Sequence, residues 1–595
     1  MPAGTISRAE RIAFLLAAWV VFAYVALRAF LVPVVHDEAI TFLLFVETRD
    51  FLPFRGGWDA GNHVLVTGLG WVAWKVFGFH LWALRLPSLL AFVLYAAYAW
   101  RWGRQLRTPL LRRCLWAALL GMPFLLDFFS LFRGYGLSIA CWSMALYELV
   151  AWLERRSTGA LVRVLAASAC ATFSGLSLLT LWAAVLAVLM GTLWGRSVAR
   201  NQRRKWIVLW AVLGLLPFVW ATAWLQELSA HGSLYYGLRT GVFGGTVPSL
   251  LKAMFGGVGI SARWLVLLAM LAGTWAAWRA VREKPAGFRA WALVLSAGLL
   301  WADVLGRELL FAWRDTLFPE DRTALQWVLP FLLMAVFALD RWSERQPKAR
   351  WMALLLLAFP LRTMATANLS FTSYWPEQAI PRSFFGTVEA IQQHAPRLLT
   401  IGCYRMEQAV WAFGLRQYGL RLNTASAAGY PDGGHDLVLL DPAQVVPPQG
   451  YRPVEAAPGG RLVLYARDPA RFATLLLDTL VSSAPGTRGS TDLWNPDVLP
   501  LKGGSYLLEL ELALPPGQGT MTGSLVVETK AGTAITHHDE TAIPFLRNPA
   551  LHDSLVTVRL IPPVPPGTTS LVARIHNAHR QPFGYSGRMR VYAVQ

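Results

Sequence analysis

The sequence predicts a polytopic α-helical membrane protein that ends in two smaller sheet-containing modules. Three observations support this fold class. The chain has 595 residues, of which 55% are hydrophobic and 28 are Trp, with a mean hydropathy of +0.42. Apolar runs that could cross a hydrocarbon core of about 30 Å follow one another as far as Leu369. After Leu369, short apolar strands separated by Gly and Pro replace them. A single soluble core would not have this composition.

Charge and cysteine usage exclude two further classes. The formal net charge is +19, but the Arg and Lys residues cluster in short loops between apolar runs. The positive-inside rule explains that pattern, so nucleic acid is not predicted as a partner. Cys114, Cys141 and Cys170 lie in or beside apolar runs and Cys403 lies far downstream. This spacing indicates neither a disulfide framework nor a CxxC metal site.

The first apolar run, Leu15 to Val35, follows Arg8 and Arg11 and is too long for a signal-peptide core. We expect it to stay as an anchor, with its basic flank in the cytoplasm and the next loop outside the cytoplasmic membrane. From Arg101 onward, apolar segments come in pairs between basic clusters. Between Asn62 and Arg101 there are also two segments. An odd number is needed there, because the chain has to cross from the predicted outer loop that ends at Asn62 to the predicted cytoplasmic cluster that begins at Arg101. Either one of them is re-entrant or one run hides a broken helix. We predict an odd total of about eleven or thirteen spans, with the C-terminus extracytoplasmic.

The predicted domains have boundaries near residues 369 and 470. Residues 1–369 form the transmembrane domain. Residues 370–470 contain the strand-like runs LLTIGC, DLVLLDP and RLVLYAR around a helical stretch, which is typical of a small α/β module. Residues 471–595 carry alternating runs such as SYLLELELALP and SLVTVRLIP, which predict an antiparallel β-sandwich. Neither module has a GxGxxG loop, a P-loop or a GxSxG elbow.

The residues best suited to chemistry follow the first span directly: His36, Asp37 and Glu38. In an extended or turn backbone the adjacent carboxylates diverge, so they cannot share one proton as a dyad. One carboxylate can take the proton of an alcohol as it attacks an activated carbon, because the hydroxyl becomes acidic while the bond forms. His36 is a candidate metal ligand or a partner for Glu38. The alternative is that Asp37 and Glu38 simply form the solvated end of a helix and that His36 is only a hydrogen-bonded neighbour of an acid.

Three arginines are candidates for binding a lipid phosphate at the outer surface: Arg133, Arg314 and Arg322. A guanidinium presents a rigid fork to phosphate oxygens. Arg322 precedes the span that starts TALQWVLP, which places it at the bilayer surface, and Arg133 with Tyr135 occupies the equivalent height on another hairpin. The alternative is that these arginines reach bulk headgroups.

Two further sets of polar residues lie on the same predicted side. Asn62 and His63 open the second apolar segment and could close over the site from the end of the first outer loop. The loop from Gln226 to Arg263 carries four candidates for contacting an acceptor, although their spacing is not diagnostic: His231, Tyr235, Tyr236 and Arg239.

The sequence contains five motifs in this order: a DE pair after the first span, NHVL, LRLPSLL, RGYGLS and PEDRTAL. This ordered set resembles the GT-C glycosyltransferases related to protein O-mannosyltransferases and aminoarabinose transferases. The resemblance covers roughly residues 10 to 370. It implies a polyprenyl-phosphate sugar donor, Asp37 as base toward the acceptor, and Arg133 and Arg322 on the lipid phosphate. Some members bind a divalent metal through an acidic residue and His, and that site has no secure match here. By analogy only, the C-terminal sandwich could bind glycan.

The sequence therefore predicts an inverting hexosyl- or pentosyltransferase that acts on a glycan, lipid or protein acceptor. One alternative is a transporter or flippase for lipid-linked glycans, which would place polar groups near the bilayer midplane. The spans contain few such groups, with Asp127 as an exception that lies close to the Arg133 turn. Another alternative is an assembly protein with a degenerate site, in which Asp37 and Glu38 would point away from any cavity.

Overall fold

The computed structural model describes residues 6–55, 58–193, 199–257, 261–283, 287–428, 433–459, 461–499, 503–514, 523–547, 554–578 and 580–594. The chain divides into two compact units. The helical unit comprises Met1–Phe30, Phe51–Gly78 and Trp82–Asn368. The sheet unit comprises Leu31–Asp50, Phe79–Leu81 and Leu369–Gln595. The segment that follows the first span, with Asp37 and Glu38, thus packs with the C-terminal modules.

The helical unit confirms the polytopic membrane class. Among the described residues, eight helices are long and apolar enough to cross a membrane: Arg8–Leu31, Leu81–Gly103, Gly134–Arg155, Leu176–Leu193, Arg200–Ala230, Ala262–Arg282, Phe288–Arg314 and Asp321–Ser343. The pair Pro109–Leu120 and Pro123–Phe129 is bent by 51° and counts as a ninth candidate. Three shorter apolar helices are Val64–Phe77, Thr158–Ser174 and Val242–Phe255. The predicted total of about eleven to thirteen is reached only if the bent pair and at least two of these shorter helices cross as well.

The structure gives a physical reason for the topology conflict between Asn62 and Arg101. Helix Val64–Phe77 has 14 residues, so it is about 21 Å long and falls short of a hydrocarbon core of about 30 Å. It ends at Gly78, whose φ of 82° stops the helix. The next helix, Leu81–Gly103, has 23 residues and is long enough to span. The first of the two segments is therefore the one that does not fit a straight crossing.

The last apolar run, which ends at Leu369 and is expected to cross the membrane, does not form one continuous α-helix. The chain forms a 3₁₀ segment, Pro347–Leu357, followed by a short α-helix, Ala358–Thr366. This segment is not among the helices that pass the length and hydropathy criteria for a span.

The α/β module contains a five-stranded sheet, whereas the sequence indicated three of its strands through the runs LLTIGC, DLVLLDP and RLVLYAR. Its strands are β1 Ile401–Tyr404, β2 Ser426–Ala428, β3 Leu437–Leu440, β4 Tyr451–Ala456 and β5 Val463–Arg467. Their order is β2-β1-β3-β5-β4. Strand β1 is parallel to β2 and β3, whereas β5 is antiparallel to β3 and β4. Helix Arg382–Gln393 precedes the sheet, and helix Arg405–Tyr418 connects β1 to β2.

The C-terminal module is the predicted antiparallel sandwich. Its strands are β6 Ala473–Gly486, β7 Ser490–Trp494, β8 Ser505–Ala513, β9 Ser524–Ala531, β10 Ala534–Ala542, β11 Leu555–Ile561, β12 Ser570–His576 and β13 Phe583–Val594. One sheet has the order β10-β9-β12-β7 and the other β11-β8-β13-β6. Alternate side chains of the two sheets, such as Leu510 on β8 and Val527 on β9, share one buried core. A short helix, Ile543–Leu546, follows β10.

Asn423 ties the α/β module to the sandwich within the sheet unit. Its side-chain amide donates to the carbonyl oxygens of Leu399 (3.0 Å) and Val558 (2.9 Å). Its amide oxygen accepts a hydrogen bond from the Val558 N–H at 3.0 Å. Nearby, the buried Arg559 on β11 donates to the carbonyl oxygen of Ala425. The bonds to Val558 and from Arg559 therefore cross between the two modules, whereas the bond to Leu399 holds Asn423 within the α/β module.

Candidate active site

His36, Asp37 and Glu38 form the first turn of a helix, so the expected extended or turn backbone is wrong. Helix His36–Ile40 begins after Val35 and continues as a π-helical turn, Thr41–Val46. Carboxylates are stabilised in the first turn because backbone N–H groups there have no intrahelical acceptor. Adjacent residues on a helix are about 100° apart, so the two carboxylates still diverge. Asp37 and Glu38 therefore still cannot share one proton as a dyad, and the reason is the geometry of the helix.

The two carboxylates have different environments. Glu38 is buried, and its side chain accepts a hydrogen bond from the Val35 N–H at 3.2 Å. Asp37 is half-buried, and its backbone carbonyl accepts from the Thr41 hydroxyl at 2.7 Å. Glu38 thus stabilises the start of its own helix, whereas Asp37 is the more accessible carboxylate of the pair.

His36 holds this helix against the α/β module. Its backbone N–H donates to the side chain of Gln378 at 3.0 Å, and its Nδ1 lies 2.9 Å from the Met406 carbonyl oxygen. With Nδ1 donating to that carbonyl, His36 could bind a metal only through Nε2. Within the described ranges, no three side chains of His, Cys, Asp or Glu lie close enough together to hold a metal ion. The described residues alone do not fit a divalent metal, and His36 as a ligand stays a prediction.

Sequence reasoning missed a buried acidic group beside His36. Glu407 follows Met406 directly and is only 3% exposed. Burial raises the pKa of this carboxyl to about 8, and the carboxylates of Glu377 and Asp441 add to the rise. Burial likewise raises the pKa of Glu377. Glu407 and Asp441 come just after β1 and β3, which are parallel, and the carboxyl ends of parallel strands are where α/β sheets carry their sites. The position of Glu407 and Asp441 just after two strand-like runs is the sequence signal that could have identified them.

In the helical unit, four predicted residues come together. Arg133 is only 3% exposed and donates to the Gly61 carbonyl oxygen at 3.2 Å. Its guanidinium carbon lies 5.9 Å from the Tyr135 ring centre. The Tyr135 ring meets the His63 ring edge-on at 4.8 Å between centroids. Asn62 donates to the Phe51 carbonyl oxygen at 3.0 Å. Arg133 is therefore fixed inside the protein, which argues against the alternative of an arginine that only reaches bulk headgroups.

Gly134 allows this cluster to form. A Cβ atom at this position would lie 1.8 Å from the Ser174 carbonyl oxygen and 2.6 Å from the His63 ring. No L side chain fits in that space. The glycine of the RGYG turn thus permits helix Gly134–Arg155 to start directly against His63.

Arg322 pairs with Tyr236, which lies in the loop from Gln226 to Arg263. Its Nη1 donates to the Tyr236 hydroxyl at 2.8 Å, and its guanidinium carbon lies 4.2 Å from the ring centre. The Tyr236 hydroxyl donates to the Asp321 carboxylate at 2.6 Å. Asp321 has a φ of 37°, an uncommon conformation for a residue other than Gly or Asn. Tyr236 therefore orients the Arg322 guanidinium, and its role as an acceptor contact stays a prediction.

Arg314 is the last residue of its helix. It is exposed at the end of helix Phe288–Arg314, with its guanidinium 4.4 Å from the ring centre of Trp313. This geometry is that of an arginine at a membrane surface.

No family model and no curated protein matches the sequence. Several solved structures are similar to the chain. ArnT from Cupriavidus metallidurans bound to undecaprenyl phosphate matches with a TM-score of 0.46 and 15% identity, over 78% of this chain and 98% of that chain. AglB, an oligosaccharyltransferase from Archaeoglobus fulgidus in complex with an inhibitory peptide and a dolichol-phosphate, matches with a TM-score of 0.39 and 8% identity, over 95% and 94%. The arabinosyltransferase EmbB from Mycobacterium smegmatis matches with a TM-score of 0.30 and 12% identity, over 99% and 64%.

Proposed function

We propose that this chain is an inverting glycosyltransferase that moves a sugar from a polyprenyl-phosphate donor to an acceptor hydroxyl at the outer face of the cytoplasmic membrane. The observation that carries the proposal is the difference between the adjacent carboxylates. Glu38 is buried and stabilises its helix, which leaves Asp37 as the accessible carboxylate directly after the first span.

Asp37 acts as the base. A carboxylate of ordinary basicity is a weak acceptor for the proton of a free alcohol, but it is sufficient once the oxygen has begun to bond to carbon. Helix His36–Ile40 holds Asp37 in place because Gln378 and Met406 bind His36, the preceding residue. A fixed base supports the rate by orientation, which is a large part of catalysis for two reactants at a membrane surface.

Arg133 and Arg322 act on the donor phosphate. Both guanidiniums are fixed by neighbouring groups, Arg133 by Gly61 and Arg322 by Tyr236. Hydrogen-bond donors that are held in place before the reaction stabilise the charge that develops on the leaving phosphate, because they do not have to reorganise. Asn62, His63 and Tyr135 position Arg133. Arg314 serves as an outer contact to the lipid.

The proposed step balances as follows. The acceptor oxygen bonds to the anomeric carbon from the face opposite the phosphate, and the bond between that carbon and the phosphate oxygen breaks. The acceptor proton goes to Asp37, and polyprenyl phosphate leaves with the electron pair of the broken bond. The configuration at the anomeric carbon inverts because a single displacement takes place.

The test is transfer of radiolabelled sugar from hexosyl and pentosyl polyprenyl-phosphate donors in membranes with matched expression. Asp37→Asn should abolish transfer while the protein remains folded and membrane-inserted. Glu389→Gln, which changes an exposed carboxylate on helix Arg382–Gln393, is the control and should keep activity. Full activity of Asp37→Asn would overturn the assignment of the base. Movement of labelled lipid across the bilayer without transfer, unaffected by Asp37→Asn, would identify a flippase instead.

A further inference from the structure

A buried ion pair lies in a membrane helix of the helical unit and has no role in the proposed mechanism. Asp303 and Arg307 are one turn apart on helix Phe288–Arg314, and the Arg307 Nε lies 2.9 Å from the Asp303 carboxylate. The Asp303 side chain is fully buried. Ionisable groups inside a membrane are costly to bury, and they commonly mark functional sites. The segments that this pair holds in place are therefore candidates for a binding site.

The ion pair holds two 3₁₀ segments together. Arg307 donates through Nη2 to the Ser177 carbonyl oxygen at 2.6 Å, which fixes the short turn that contains Ser177. The indole N–H of Trp327 donates to the Asp303 carboxylate, which fixes the end of the segment Asp321–Trp327. Ser177 and the residue before Trp327 are thereby held in defined positions.

Gln326 lies where the two segments meet. It is only 1% exposed, and its Oε1 accepts a hydrogen bond from the Ser177 hydroxyl at 3.3 Å. Its Nε2 has no hydrogen-bond partner among the described residues. Because the Ser177 hydroxyl can either donate or accept, a turn of the amide by 180° would exchange the unpaired end without pairing both. Buried polar groups are nearly always hydrogen-bonded, so this amide is suited to a ligand that brings a polar group of its own.

The same contacts connect the two arginine clusters of the proposed active site. Gln326 follows Arg322 in the same 3₁₀ segment. On the other side, the carbonyl of Ser174 packs against the glycine that follows Arg133. The Ser174 hydroxyl is buried and also has no hydrogen-bond partner within the part of the chain that the structure describes. Ser177 is half-buried, so a polar group can reach Gln326 from that side.

We propose that Gln326 binds a hydroxyl group of the donor sugar and thereby determines which sugar the chain accepts. This inference rests on the proposed function, in which Arg133 and Arg322 hold the donor phosphate. The sugar is bonded directly to that phosphate, which brings it to the same two segments. A hydroxyl both donates and accepts, so it is complementary to either end of the amide. Gln326 and its neighbours Ser174 and Ser177 carry no charge, and they favour a neutral group over a second phosphate or an ammonium.

A contact of this kind gives strong selectivity between sugars. A site built to hydrogen-bond a substrate hydroxyl discriminates against an analogue that lacks it, because the buried polar groups are then left unpaired. A donor without the hydroxyl that meets Gln326 should therefore bind more weakly, whereas the loss of another hydroxyl leaves this contact intact. An amide does not titrate in the physiological range, so Gln326 holds the sugar and takes no part in proton transfer.

The test measures the thermal unfolding midpoint of the purified full chain in detergent during titration with three kinds of ligand. These are polyprenyl phosphate, the hexosyl and pentosyl polyprenyl-phosphate donors, and monodeoxy analogues of the donor that binds most tightly. We expect one analogue to bind wild type about tenfold more weakly than its parent. Gln326→Leu should bind the parent about tenfold more weakly than wild type does, and should bind the parent and that analogue equally. Polyprenyl phosphate should bind both proteins equally, because the arginines are unchanged.

Gln346→Leu is the matched control, because it makes the same substitution at an exposed glutamine beyond the far end of helix Asp321–Ser343. It should keep the wild-type pattern. Gln326→Met is a second variant that fills the space with a flexible apolar side chain, and it should behave as Gln326→Leu does. Equal binding of every analogue to wild type would overturn the inference. So would variants that keep the wild-type preference, or that weaken polyprenyl phosphate as much as the parent donor.

Sugar transfer, measured on the same preparations, separates this inference from the proposed function. If wild type shows the expected binding pattern but transfers no sugar, the transferase is contradicted and the Gln326 contact stands. If wild type transfers sugar with a preference that Gln326→Leu leaves unchanged, the Gln326 contact is contradicted and the transferase stands.

Discussion

The guanidinium of Arg28 lies 2.7 Å from the carboxylate of Asp127, and both side chains are buried in the helical unit. Arg28 also donates to the Asn368 carbonyl oxygen at 2.5 Å. Asp127 is therefore neither a solvated interfacial carboxylate nor an isolated charge in a transport path. The ion pair joins the end of the first helix, Arg8–Leu31, to the second half of the bent pair, Pro123–Phe129.

Removal of one partner of this pair should destabilise the protein strongly. We expect Asp127→Asn to lower the free energy of unfolding by about 3 to 5 kcal/mol, because the Arg28 charge stays buried without its counter-ion. The double variant Arg28→Met with Asp127→Leu should be closer to wild type, since it removes both charges. Thermal unfolding in detergent measures both. A double variant less stable than Asp127→Asn would contradict this account.

Substitution of Glu38 should affect mainly stability, and substitution of Asp37 should affect mainly activity. Glu38→Ala removes the acceptor of the Val35 N–H and a first-turn negative charge, so it should cost about 1 kcal/mol of unfolding free energy. Asp37→Ala should change stability by no more than about 0.5 kcal/mol while abolishing transfer. Unfolding and sugar transfer are measured on the same preparations. If Asp37→Ala were the less stable of the two, its loss of activity would not identify a base.

Glu407 should make stability depend on pH. The ordinary pKa of this carboxyl is 4.5, and burial raises it to about 8 in the folded chain. Between these values the folded state holds a proton that the unfolded state has released, so stability falls as pH rises through this window and levels above it. Each unit of pKa difference corresponds to about 1.4 kcal/mol.

The measurement is unfolding of wild type and Glu407→Gln at about pH 5 and about pH 8. The variant should lose most of the pH-dependent destabilisation because its side chain does not ionise. Glu389→Gln, on the exposed face of helix Arg382–Gln393, is the matched control and should behave as wild type. An unchanged slope in Glu407→Gln would show that another group titrates.

Asn423→Ala should loosen the two modules of the sheet unit from each other. The substitution removes hydrogen bonds to Leu399 and to both backbone groups of Val558, and it leaves these buried groups without their partner. We expect a loss of about 2 to 3 kcal/mol, seen as a lower unfolding midpoint or faster proteolysis between the modules. Asn495→Ala changes an exposed amide in the sandwich and should have little effect. Equal effects of the two variants would contradict the role of Asn423.

The sequence by itself determined the class of the protein and the order of its parts. Apolar runs, basic clusters and alternating strands are local patterns, and local patterns set where helices and strands form. They predicted the membrane helices, the α/β sheet and the sandwich. They failed at Val64–Phe77 and at Pro347–Thr366, where a run is apolar enough to suggest a span but the helix is too short or is wound as 3₁₀.

Only the tertiary structure decided which polar residues are partners. Arg28 and Asp127 are 99 residues apart in the chain, and Arg322 and Tyr236 are 86 apart. No local period links such positions. Burial likewise separates Glu38 from Asp37 and raises the pKa of Glu407, although all three are ordinary carboxylates in sequence. The cause is physical: the cost of removing a charge from water depends on what packs around it, and packing is a property of the folded chain.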